Sequence, residues 1–301
     1  MLLAYQQDPA ILCSLTIKLL RPLTLTQILS FASENMIIQA MRSPAPSANI
    51  LAMTILEKAA KSPAEAAILA VMKPVLNSFL VQWLSTPHVE VGEKGSRVLG
   101  DLLDIDCDIR PHDGLSLNGM EIAVRKPPGQ GLMWRRIFHD PDIYALILSL
   151  CSARPNSHPD PSVPRLSDQQ RTLAQGRLLR VLPRLAALNL HVLARTDFPD
   201  LNQRYIGLDR DAGLLQFAAL HMIDNEDTLM HLNLIDFFEA LLSIQRITPY
   251  STYKVDTLRR LVSDATARDP ILKAAILSLP DRTVPDEAIE LRRFIQDVVA
   301  T

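Results

Sequence analysis

Glycine is scarce, at 10 of 301 residues. Soluble domains average about 7% glycine, roughly twice this share, so the phosphate loops and tight strand turns of an α/β enzyme have little to be built from. Aromatics make up only 5% of the chain although 48% is hydrophobic. The apolar mass is therefore Leu, Ile, Val and Ala, which suits helix-on-helix packing. Three cysteines, Cys13, Cys107 and Cys151, lie far apart with no CxxC between them. That excludes a disulfide framework and leads us to expect a reducing compartment, the cytoplasm or nucleus. There is no basic excess either: the net charge is −2, which argues against a general nucleic-acid binder. No basic n-region precedes the first apolar stretch, and Asp8-Pro9 interrupts it, so a signal peptide is not expected. The most apolar window, Ala67 to Leu84, is broken by Lys73, Pro74, Asn77 and Gln82. It reads as buried helices and not as a membrane span of about 20 apolar residues.

What the chain has in plenty is proline, 21 residues. Much of it marks helix starts. A capping residue precedes proline at Asp8-Pro9, Ser62-Pro63, Thr86-Pro87, Asp140-Pro141 and Asp269-Pro270. The cap accepts a hydrogen bond from an orphan N–H of the first turn, and proline at the first position gives up an N–H that had no partner. Ser167 with Gln170 adds a capping box. With the apolar periodicity these signals predict helices near 9–21, 25–35, 48–60, 63–73, 75–85, 87–104, 132–138, 141–152, 168–188, 212–223, 226–244, 252–267, 270–279 and 286–299. The fold class expected is all-α, an armadillo/HEAT-like α-solenoid carrying a small inserted hairpin or loop.

The helix predicted at 87–104 is amphipathic, with Val91, Val98, Leu99, Leu102 and Leu103 on one side and i,i+4 pairs Glu90–Lys94 and Glu93–Arg97 on the other. Gly95 falls on its apolar side, where a neighbouring helix could approach. The helix at 226–244 is apolar over more than half its circumference, so it should be sandwiched. Two segments interrupt the pattern. In 106–131, Asn118-Gly119 between short alternating runs signals a hairpin near 115–124. In 153–166, four prolines and few packable side chains read as a linker. The expected organisation is thus N-terminal repeats at 1–105, the insertion at 106–131, one repeat at 132–152, the linker, and C-terminal repeats at 167–301.

Candidate chemistry is thin. Asp104, Asp106 and Asp108 alternate like the start of a calcium loop, but the required turn glycine and bidentate Glu positions hold Ile109 and Leu115. The histidines form no HExxH, and His221 and His231 sit on different predicted helices. Gly129-Gln130-Gly131 lacks the strand and the Lys of a phosphate loop. No nucleophile motif appears. No metal, cofactor or catalytic residue is expected. Charge is uneven, with twelve basic against eight acidic side chains over 106–196 and eleven against seventeen over 197–301. Arg177, Arg180 and Arg184 fall within about 60° on one predicted helix, a candidate protein-contact row. Arg135 and Arg136, beside Trp134, Phe138 and Tyr144, form a second candidate because these residue types dominate interfaces, although Trp134 and Phe138 would also suit a core.

Four stretches carry a family resemblance: SPAPSANILAMTILEKAAKSPAEAAIL (43–69), HVEVGEKGSRVLGDLLDIDC (88–107), LMWRRIFHDPDIYALILSLCS (132–152) and LLQFAALHMIDNEDTLMHLNLIDFFEALLS (214–243). They resemble the fungal HSM-type family, which carries a DNA mismatch-repair label and is related to the non-ATPase subunit five of the proteasome. The resemblance implies an armadillo/HEAT-type chaperone that binds AAA ATPase subunits while the base of the proteasome regulatory particle assembles. It also implies a DNA-repair role as the alternative. It is a likeness of composition and pattern over most of the chain and assigns no individual site residue.

Overall fold

A computed structural model describes residues 9–109, 128–152, 164–205 and 212–299. Among these residues every regular element is helical and there is no strand. The hairpin expected near 115–124 and most of the proline-rich segment, 153–163, lie outside the described residues. The chain divides into two compact units, Met1–Tyr144 and Ala145–Thr301.

In the first unit the helices are α1 (Ala10–Leu19), α2 (Leu25–Leu29), α3 (Glu34–Met41), α4 (Pro46–Glu57), α5 (Pro63–Val71), α6 (Lys73–Ser85), α7 (Val89–Ile105) and α8 (Leu132–Phe138). A 3-10 turn, Lys58–Lys61, follows α4. α4 is the hub. It packs against α1, α3 and α7, while α3 also packs on α6, α6 on α7 and α5 on α8. Its centre is apolar: Ala52, Met53 and Leu56 are fully buried. Asn49 ties the hub to α3 by donating from Nδ2 to the carbonyls of Ala40, Met41 and Ser43 at 2.9–3.1 Å. Its Oδ1 accepts from Gln82 on α6 at 3.0 Å. A buried amide with its capacity filled in this way fixes register as well as position.

The apolar window at 67–84 is two helices, α5 and α6, bent by 92° at Met72. Pro74 at the start of α6 explains the break, since it has no N–H to continue the α5 ladder. Among the described residues no single helix is long and apolar enough to cross a membrane.

The second unit contains α10 (Asp168–Ala194), α11 (Pro199–Tyr205), α12 (Leu214–Gln216) running into a π-turn (Phe217–His221), α13 (Thr228–Ile247), α14 (Thr252–Thr266), α15 (Pro270–Ser278) and α16 (Pro285–Val299). α9 (Pro141–Cys151) starts in the first unit and ends in this one. α10 packs along α13, which also meets α15 and α16; α14 packs on α16. α10 is helical in two pieces, because Asn189 leaves the helical region (φ −154°, ψ 83°). The Asn189 side chain then accepts from Val192 N at 3.2 Å and so caps the short second piece.

Several expectations need correction. Thr86-Pro87 is not a helix start: α7 begins at Val89, and Thr86 Oγ1 accepts from His88 N in the turn before it. The helix expected over 25–35 is α2 alone, with α3 beginning afresh behind Ser33, whose hydroxyl accepts from Met36 N. α11 was not expected. α13 is not apolar-packed all round, because Leu229, Leu232 and Ile247 are exposed opposite a buried stripe of Met230, Leu234, Phe237, Phe238, Leu241 and Leu242. The ion pair that Lys94 makes is with Glu57 on α4 at 2.5 Å.

Candidate functional site

The five arginines singled out by sequence fall into different environments. Arg136 is structural. Its Nε donates to Ala70 O at the end of α5 (2.8 Å) and its Nη1 to Asp140 Oδ2 (2.7 Å). Lys73 joins the same knot, bonding Asp140 at 2.9 Å and Asp142 at 2.7 Å. Asp140 also caps α9 by accepting from Asp142 N and Ile143 N. Burial pushes the Asp140 carboxyl up, but the hydrogen bonds from Lys73 and Arg136 outweigh it and hold the group below the ordinary carboxylate range. Arg135 points outward and is exposed.

The row expected on α10 does not exist as three residues. Arg177 is buried at 9% relative exposure, while Arg180 and Arg184 are exposed. On the helical projection Arg177 lies only about 20° from the exposed Arg184, so its burial is set by what packs over that part of α10 and not by its angle. What remains is a pair one helical turn apart. From Gln169 to Thr196 the sequence contains no Asp or Glu, and Asp168 at the start of α10 pairs with Arg171 at 3.0 Å.

Trp134, Phe138 and Tyr144 are core. All three are buried, Trp134 Nε1 donates to Leu103 O at 2.9 Å, and the Trp134 and Phe138 rings lie 5.3 Å apart. Of the alternating aspartates, Asp106 has a structural role. Asp106 is fully buried and works as the cap of α8: its carboxylate accepts from Gln130 N at 3.2 Å and Met133 N at 2.6 Å. Burial pushes this carboxyl above the ordinary range, against the pull of the backbone N–H groups. The nearby glycines serve the same junction. Gly129 N donates to Cys107 O and Gly131 N to Asp106 O, both at 2.9 Å. A Cβ on Gly129 would fall on the Asp106 backbone, and Gly131 has φ +68°.

His231 Nε2 lies 2.6 Å from Asp269 Oδ2, whose other oxygen caps α15 through Leu272 N. Among the described residues no group of three or more His, Cys, Asp or Glu side chains could hold a metal ion. All three cysteines are buried, and burial pushes the Cys151 thiol far up, away from the nucleophilic thiolate. One open depression of 260 Å³ lies in the first unit, lined by Glu57, Ala60, Lys61, Asp101, Asp104 and Ile105. It is small and polar beside the apolar clefts that usually enclose small molecules.

Sequence reasoning missed one surface. On α1, Ile11, Leu15 and Leu19 are 81%, 53% and 67% exposed. They recur at i, i+4 and i+8, on the side away from Cys13 and Leu20, which are buried. The signal was present as a helix with one charged residue, Lys18, but a helix apolar on every side does not reveal which side is covered. No protein-family model, no curated protein and no solved structure matches the chain.

Proposed function

We propose that this protein is an armadillo/HEAT-like helical-repeat scaffold and works without catalysis as an assembly chaperone. Its partner would be an AAA ATPase subunit of the proteasome regulatory-particle base. The observation that supports a binding role most directly is the outward pair Arg180 and Arg184. They stand on a long helix whose opposite side is sealed by Leu178, Val181, Leu182 and Leu185. Guanidinium groups about 6 Å apart along the axis match carboxylates spaced one turn apart on a partner helix, and such pairs steer encounter and select partners. The choice of partner rests on the four resembling stretches. The mechanism is steric and electrostatic: the scaffold occupies a subunit face and is displaced when assembly supplies the proper neighbour.

Affinity purification from a cell extract, with mass spectrometry of what is retained, tests this reading. The expected result is free regulatory-particle ATPases without mature core particle. Recovery of none, or salt-sensitive retention of duplex DNA at physiological ionic strength, replaces the chaperone reading. DNA is the less favoured partner because its affinity comes largely from many neutralised phosphates, and two exposed arginines neutralise few.

A further inference from the structure

We infer that the contact strip of α10 extends past its two arginines to His191 and Tyr253, and that it takes an acidic helical segment of a partner protein. This extension rests on α10 being the contact surface proposed above. The first observation is exposure. From Gln170 to Ala194 the exposed residues are Arg180, Arg184 and His191, and all others are buried or half-buried. α10 therefore opens to solvent through two guanidinium groups and an imidazole, each able to donate hydrogen bonds.

The second is order. The His191 ring lies 5.2 Å from the Tyr253 ring of α14, tilted by 38°. A side chain held by stacking has already given up rotamer freedom, so a carboxylate that accepts from it meets little further entropy cost. Half-buried Tyr253 adds flat aromatic surface beside that donor, and Tyr beside Arg is the composition that concentrates binding energy.

The third is charge. α10 has no Asp or Glu after Asp168. Glu239 on α13, Asp256 on α14 and Glu287 on α16 are engaged by Arg282, Arg259 and Arg246. The fixed charge of the strip is positive, and its complement is acidic. A partner helix with Glu at i and i+4 sets carboxylates about 6 Å apart along its axis, the rise between Arg180 and Arg184. Nucleic acid fits less well, because two guanidinium groups neutralise about two phosphates.

Fluorescence anisotropy of the full chain at low salt provides the test. The probe is a labelled Ala-based helical peptide of about 20 residues carrying Glu pairs at i and i+4, compared with the same peptide carrying Gln. The Glu peptide should bind and the Gln peptide should not. His191→Ala and Tyr253→Leu should each weaken binding about fivefold, with far-UV circular dichroism and thermal midpoint unchanged. Arg97→Ala, exposed in the other unit, should leave binding as it is. Full affinity in both the His191 and Tyr253 variants, with loss in Arg180→Glu plus Arg184→Glu, overturns the extension alone. Full affinity in the arginine double variant as well removes α10 as the contact surface. The acidic-segment assignment is overturned by no binding of the Glu peptide up to about 1 mM, by equal weakening in Arg97→Ala, or by tighter binding of a single-stranded oligonucleotide of the same net charge.

Discussion

Gly95 is a position where two effects oppose each other and the structure decides the sign. In the middle of a helix, glycine costs about 1 kcal/mol relative to alanine. A Cβ there would stand 2.5 Å from Cδ1 of Trp83. That ring is fully buried on α6, and its Nε1 is committed to Ser96 Oγ at 2.9 Å, so it cannot step back cheaply. Gly95→Ala is therefore expected to lose about 1–3 kcal/mol despite the gain in propensity, read as a lower midpoint in urea with an unchanged slope. Asp140 gives a pH-dependent case. Its folded-state value is held below the unfolded one, so its contribution is complete above the ordinary carboxylate range and disappears as pH falls through the folded value. Asp140→Ala should cost about 2 kcal/mol near pH 7, from a lost cap and a broken knot. The difference from wild type should shrink as the medium is acidified. An equal penalty at pH 7 and pH 2 would refute the electrostatic part of this account.

At the scale of elements, the caps were the most legible part of the chain. Ser62, Asp140, Ser167 and Asp269 each accept from the N–H groups their spacing predicts, because capping is a local contact that four consecutive residues specify. Gaps were harder. The break between α2 and α3 is made of Ser30 to Ser33, with no glycine or proline to mark it. The kink at Asn189 sits inside an unbroken apolar pattern, and its local mark, an Asn that caps Val192 three residues on, was not read. The four-helix cluster α13–α16 is fastened by arginines reaching across: Arg246 to Glu287, Arg259 to Asp297 O, Arg282 to Glu239 and Arg292 to Asp281. These contacts engage part of the acidic excess of the C-terminal segment. The junction of α7 and α8 yields a prediction. Asp106, Cys107, Gly129 and Gly131 close the base of the 106–131 insertion by their own hydrogen bonds. If 110–127 is the inserted hairpin or loop that its sequence suggests, replacing it with a short Gly-Ser link should leave the thermal midpoint within a few degrees, since shortening a loop closed at its base changes its entropy by only about 1 kcal/mol. A fall of more than about 10 °C would mean that the fastening is not local.

At the scale of the whole molecule, composition and periodicity specified an all-helical chain, but they could not assign inside and outside to individual charges. Arg177, Arg180 and Arg184 form one row on a helical projection, yet burial separates the first from the other two. A projection gives angle, and the boundary between packed and open faces depends on α13, which is remote in sequence. That division makes the binding role of α10 testable without confusing it with stability. Arg177→Glu places a reversed charge at a buried position and should destabilise by at least about 2 kcal/mol, with binding lost only as folding is lost. Arg180→Glu with Arg184→Glu alters exposed positions and should stay within about 0.5 kcal/mol of wild type in stability. If α10 meets a carboxylate-bearing partner, this double variant should slow association about tenfold at low salt while dissociation changes less, because exposed charges act mainly on encounter. The gap to wild type should close as salt is raised and the field is screened. Stopped-flow or surface-based kinetics with the purified partner at two ionic strengths would read this directly. Equal association rates at low salt would leave the two arginines as a solvated face and move the search for the contact to another surface.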